Sequence, residues 1–241
     1  MSDRPQELRP DFHQSIDGVR QAVAHLGASV VELIPRVTEV LLDQDLDAAE
    51  RIIFADDEFD SRSLDVEEKA LRLIALQAPV ANDLRQLAAA LKLAPEIERS
   101  ADLCCNICKA ARRIYPHQLD PKLRGTIQRM STQAQLEYKA AVEAYLNVDD
   151  AWAAAVPDMD DHLDDLHRDF VQQIFEIHAE EGIELQVAVQ LAMVARFYER
   201  LGDHAVNIAA KVRYIASGWM EEHDGASRHR ARMLEQQSED S

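Results

Sequence analysis

Apolar positions recur at threes and fours along most of the chain, the period of a helix with one buried face. From about Asp11 to Leu42, Ile16, Val19, Val23, Leu26, Val30 and Val37 keep that period, and Pro35 inside the run is expected to kink the helix. The polar break Asp43-Gln44-Asp45 precedes a second helix expected from about Leu46 to Leu76. Pro79 then ends that helix and opens a third, from about Val80 to Ile114, because the residue before a proline resists the α conformation while proline is welcome at the first helical position. Tyr115-Pro116 stops it, and after Asp120-Pro121 the plan restarts. A fourth helix runs to about Leu146, a fifth from about Asp149 to Glu180, and a sixth follows Gly182 to about Ile215, with Gly218 as a closing signal. The pattern predicts an all-α fold of six helices in two tandem three-helix bundles, residues 10–115 and 118–217. Residues 218–241, charged and poor in apolar side chains, are expected to form a mobile polar tail with one short helix around Arg230 to Gln236.

The two halves share a motif. Glu98, Arg99, Asp102, Asn106 and Ile107 return as Glu199, Arg200, Asp203, Asn207 and Ile208, all at the offset 199 − 98 = 101. A repeat that long signals a duplicated bundle rather than a solenoid of shorter units. Within each copy the Glu and the Asp stand four residues apart, so they share a helix face one turn apart. On a helical wheel each pair interrupts an otherwise apolar stripe: Leu87, Leu91, Ala94 and Cys105 flank the first, and Leu185, Ala188, Ala195 and Val206 the second. The preceding helices carry acids at the same spacing, Asp56 with Asp60 and Asp160 with Asp164, again among apolar neighbours. Helices joined by short loops are antiparallel neighbours as a rule, so each half can bring two acid pairs to one seam.

Composition narrows the class. Seven glycines, eight prolines and 5% aromatic residues suit helices and starve strands. The net charge of −18 disfavours nucleic acid and anionic lipid as direct partners and favours cations and basic protein surfaces. No apolar run approaches the roughly 20 residues of a membrane span. Met1-Ser2-Asp3-Arg4-Pro5 lacks the apolar core of a signal peptide, so a cytoplasmic location is expected. Cys104, Cys105 and Cys108 crowd one stretch of helix and read as small buried side chains before they read as a thiolate site.

Four carboxylates on one seam repel unless they are protonated, paired with arginine or bound to a cation. Arg99 and Arg200 follow their glutamates by one residue, which turns them about 100° away and aims them badly at the cluster. A hard cation is the best outlet, and oxygen-only ligation selects Mg²⁺, Mn²⁺, Ca²⁺ or iron. Asp56, Asp60, Glu98 and Asp102 are therefore expected to form one metal site, and Asp160, Asp164, Glu199 and Asp203 the other. His167 and His204 are each either a supplementary ligand or an ordinary partly buried histidine. Gly202 in mid-helix implies close packing beside Asp203, and its counterpart Ala101 suggests that the approach tolerates a methyl group. The Glu-x-x-His element of ferritin-like di-metal enzymes is absent, as are a Gly-rich phosphate loop and a nucleophile-base pair. A carboxylate-bridged metalloenzyme and a metal-free helical adaptor stand as the competing readings, and no catalytic residue is expected.

With these motifs, and with Leu76-Gln77-Ala78-Pro79-Val80-Ala81-Asn82-Asp83-Leu84-Arg85, the chain resembles the PhoU family over about residues 10–217. The resemblance implies two three-helix bundles related by a pseudo-twofold, metal clusters held by (Glu/Asp)-x-x-x-Asp motifs, and no catalysis. Arg99, Asn106, Arg200 and Asn207 would then support the ligands structurally. It further implies a negative regulator of phosphate uptake and of the phosphate-starvation response, engaging the transporter's ATPase subunit and a membrane-bound, phosphate-sensing histidine kinase. Membrane association would come only through those partners, and a homodimer is expected. Ser100-Ala101 departs from the family's usual Ile-Gly, which singles out the first metal site as the more altered one.

Overall fold

A computed structural model describes residues 8–218, which form seven helices: α1 (Leu8–Asp43), α2 (Leu46–Phe54), α3 (Asp56–Gln77), α4 (Ala81–Ile114), α5 (Pro121–Asn147), α6 (Asp150–Glu181) and α7 (Leu185–Ser217). The expected tail from residue 219 onward and its short helix lie outside the described residues. Local chemistry sets the helix starts. Asp45, Asp120 and Asp149 each accept a backbone N–H from the first turn that follows, at 2.9, 2.7 and 3.0 Å, satisfying donors that the helix itself leaves free. Ala78, Val148, Gly182 and Gly218 end their helices in the left-handed conformation. Pro35 lies inside α1, Pro95 inside α4 and Pro157 inside α6, none of them ending its helix.

The second predicted helix is two helices, a correction to the six-helix plan. Ala55 is at once the C-cap of α2 and the residue before α3, and its N–H is shared between the carbonyls of Arg51 and Ile52. The break places Asp56, Asp57 and Glu58 in the first turn of a new helix, where the positive end of the macrodipole favours acids. A cleft of about 530 Å³ between α1, α2 and α3 runs from this break to Asp56 and Cys105.

Each half buries its apolar stripes against its own helices: α1, α2 and α3 on α4, and α5 and α6 on α7. The halves join along α1 with α5 and α4 with α7, so one continuous core runs through both. Several polar groups inside that joint are paired. Thr38 Oγ1 donates to Ile34 O at 2.8 Å and lies 2.7 Å from Ser131 Oγ and 2.6 Å from Tyr198 OH, while Tyr138 OH donates to Ser100 Oγ at 2.9 Å. Across α4 and α7, Glu96 Oε1 meets His204 Nδ1 at 2.7 Å and accepts from Asn207 Nδ2 at 2.6 Å. Among the described residues no helix is long and apolar enough to cross a membrane.

Candidate metal centre

In the first half α3 and α4 bring the expected acids face to face. Asp60 stands against Glu98 and Asp56 against Asp102. Burial first, then the charges of Asp102 and Asp60, push the Glu98 carboxyl above its ordinary range, with Arg99 opposing. Asp102 is raised by burial and then by Asp56, with Lys109 opposing. The Cys105 thiol, almost fully buried, donates to Asp56 Oδ1 at 3.2 Å. All three cysteines are free and buried, and burial above all pushes their thiols up, Cys108 to about 12, so none is a thiolate near neutrality. The plain reading of the cysteines holds, with Cys105 adding a hydrogen bond to the acid seam.

In the second half α6 and α7 place Asp160 near Asp164 and Asp203, and burial followed by these charges raises Asp160 to about 6. A fifth acid enters from α5. Glu137 is fully buried, and burial followed by the charges of Asp160, Asp164 and Asp203 pushes its carboxyl up to about 9. Glu137 escaped the sequence reading, although the signal was there: it falls on the buried stripe of α5 between Ala134 and Ala141, just as Glu98 interrupts the stripe of α4. Glu199 is ion-paired to Arg196 one turn earlier, and its Oε2 is buried without a hydrogen-bond partner. His167, half-buried, has its imidazole pKa lowered by burial and by Arg196, against the pull of Asp164.

Gly202 shapes this seam. A Cβ there would overlap Asp160 Oδ1 and press to 2.9 Å from Leu163 Cδ2 and 3.1 Å from Glu137 Oε1. The methyl group that Ala101 carries in the first half would, at the equivalent point of the second, force the Asp160, Leu163 and Glu137 side chains to shift, because the ends of two carboxylates occupy its space.

The supporting residues divide. Arg99 pairs with Glu96 at 3.1 Å, and Asn207 together with His204 is taken up by Glu96 across the bundle joint rather than by the acids beside them. Asn106 is half-buried and Arg200 exposed.

Among the described residues no three acids, histidines or cysteines already stand in a ready-made ligand set. The donor chemistry nonetheless fits a hard cation. Both oxygens of Glu137, Asp160 Oδ1 and Glu199 Oε2 are buried with no hydrogen-bond partner, the condition that a cation relieves and that protonation relieves only in part.

A family model described as PhoU domain matches the chain twice, at residues 23–111 and 127–212. Phosphate-specific transport system accessory protein PhoU homolog 2 of Mycobacterium tuberculosis is 32% identical over 212 residues, covering 88% of this chain and 99% of its own. PhoU homolog 1 of Mycobacterium leprae is 32% identical over 218 residues, covering 90% of this chain and 97% of its own. The crystal structure of PhoU from Pseudomonas aeruginosa superposes with a TM-score of 0.80 at 23% identity, over 86% of this chain and 100% of that one.

Proposed function

Because the chain belongs to the PhoU family, we propose that it is a non-enzymatic, cytoplasmic regulator that restrains phosphate uptake and the phosphate-starvation response. The observation that carries this reading is the doubled PhoU domain, together with relatives named as accessory proteins of phosphate-specific transport that match nearly their whole length. The regulator acts by contact: on the ATPase subunit of the phosphate transporter and on a phosphate-sensing histidine kinase, as a homodimer that reaches the membrane only through them. A net charge of −18 supports docking on basic protein surfaces with a salt-dependent on-rate.

The two acid seams are the proposed metal sites. Asp56, Asp60, Glu98 and Asp102 serve one, and Asp160, Asp164, Glu199 and Asp203 the other, with Mg²⁺, Mn²⁺, Ca²⁺ or iron as the ion. A bound cation would offset the mutual repulsion of the carboxylates and lock α3 to α4 and α6 to α7.

Deletion of the gene should leave phosphate-starvation genes expressed in phosphate-rich medium, and restoring it should repress them again. Unchanged expression and unchanged phosphate uptake, in a strain with no paralogue, would remove the phosphate assignment. Metal content after dialysis tests the sites separately, and equal content in wild type and in the Asp56→Asn, Asp203→Asn double variant would refute them.

A further inference from the structure

The two halves repeat closely enough to be compared position by position along α1 and α5. The matched segments begin at residues 23 and 127, an offset of 104, and Asp56 and Asp160 stand at the same offset. The buried register agrees: Val23 with Ile127, Leu26 with Met130, Val30 with Ala134, Ile34 with Tyr138 and Val37 with Ala141. One contact is even made twice. Thr38 of α1 bonds Ser131 of α5 at 2.7 Å, and at their counterparts a Cβ on Gly27 of α1 would lie 2.6 Å from Val142 Cγ2 of α5.

In that register the counterpart of Glu137 is Leu33. Leu33 is buried at 8% exposure and lines the cleft that ends at Asp56. Glu137 is at 0%, with both carboxyl oxygens buried and unpartnered, and its Oε1 faces the same small space above Gly202 as the unpartnered Asp160 Oδ1. An acid is kept where the matching half keeps a leucine, in a fold that offers it no donor. Leaving a carboxyl so placed is costly unless something outside the protein satisfies it.

Resting on the metal reading above, we propose that Glu137 is a fifth carboxylate ligand of the second metal site, and that the two sites of this chain are therefore unequal. The second site, with one more oxygen donor and one more negative charge than the first, binds a hard divalent cation more tightly, since affinity in oxygen sites rises with ligand charge and number. The first site, closed on that side by Leu33 and touched by the neutral thiol of Cys105, is the weaker.

The test is Mn²⁺ titration of the full chain, stripped with chelator and dialysed, followed by calorimetry and by loss of the free Mn²⁺ spin-resonance signal. Wild type should show two unequal binding events, the weaker removed by Asp56→Asn. Glu137→Gln keeps the shape and removes the charge; it should weaken the tighter event at least tenfold and leave the weaker one within about twofold. Glu137→Leu, which copies the first half, should bring the two affinities together, and circular dichroism identifies any variant that has lost its fold. A tighter event unchanged in folded Glu137→Gln, or two equal events in wild type, would overturn the proposal while leaving the metal sites standing. A wild-type chain that takes up no Mn²⁺ would overturn the metal reading itself and this inference with it.

Discussion

At the scale of single residues, the second acid seam depends on one missing methyl group. Alanine is the better helix former by about 1 kcal/mol, so on propensity alone Gly202→Ala would stabilise α7. The overlap with Asp160 and the pressure on Leu163 and Glu137 act the other way, and overpacking of this kind costs about 1–3 kcal/mol. Urea melts of the metal-stripped protein should show a net loss in Gly202→Ala, whereas Ala101→Gly, which removes a buried methyl group, should lose the propensity difference of about 1 kcal/mol together with the packing of that methyl. The same seam sets a pH dependence. Glu137 faces Asp160, Asp164 and Asp203, and Asp160 faces Asp164, Asp203 and Asp161. Their pKa values are raised by burial first and by these charges second, to about 9 and about 6, so the folded chain holds protons that the unfolded chain has released. Stability is then fully present below the unfolded values and is lost as pH rises through the folded ones. Metal-stripped protein should melt at a lower temperature at pH 8 than at pH 5, and Glu137→Gln should flatten that slope. A melting temperature that rises over this interval would contradict the placement of Glu137.

At the scale of elements, the helix ends explain where the acids stand. The break at Ala55 turns Asp56 from a mid-helix residue into the first residue of α3, beside favourable N-terminal partial charge and next to the cleft. Ala78, at the far end of α3, sits in the left-handed conformation at φ 43°, ψ 57°, where a non-glycine residue costs about 1–2 kcal/mol. Glycine relieves that cost and gives back part of it through a freer unfolded chain, about 0.4–1 kcal/mol. Ala78→Gly should therefore raise stability slightly, by about 0.5 kcal/mol, and a lower urea midpoint would show that the α3–α4 turn is not strained.

At the scale of the molecule, the two halves are a repeat in plan but one body in packing. α1 lies on α5 and α4 on α7, and the joint contains paired polar groups: Thr38 with Ser131 and Tyr198, Tyr138 with Ser100, and Glu96 with His204 and Asn207. Burial raises the Glu96 carboxyl, but the His204 bond and charge, the Asn207 bond and the Arg99 charge outweigh it and leave the pKa below its ordinary value. A shared core of this kind predicts one cooperative transition, with hydrogen exchange in α4 and α6 collapsing at the same denaturant concentration. Tyr198→Phe removes the hydroxyl that meets Thr38, while Thr38 keeps its bond to Ile34 O, so the expected loss is about 1–2 kcal/mol, spread over both halves. Two separate transitions, or a loss confined to α5–α7, would show that the joint carries little stability.

Periodicity along the chain was enough to determine the helical class, the two sets of helices and the acid pairs that border their apolar stripes, because a 3.6-residue repeat reports which side of a helix avoids water. The duplicated Glu-Arg-x-x-Asp motif marked both seams. What periodicity does not report is which distant group a buried polar atom meets. Asn207 and His204 sit beside Asp203 in sequence, yet they bond Glu96, more than 100 residues away, once α7 packs on α4. Glu137 is an acid in a buried stripe, and only the docking of α5 against α6 and α7 shows that it joins the second seam while Leu33 stands in its place in the first. The break at Ala55 is likewise a tertiary outcome, since residues 46–76 keep enough helical period to read as one element until α2 and α3 are each packed on α4. Local pattern determines what a residue is and which face it takes; the partner that gives a buried charge its role is chosen by packing between helices far apart in the chain.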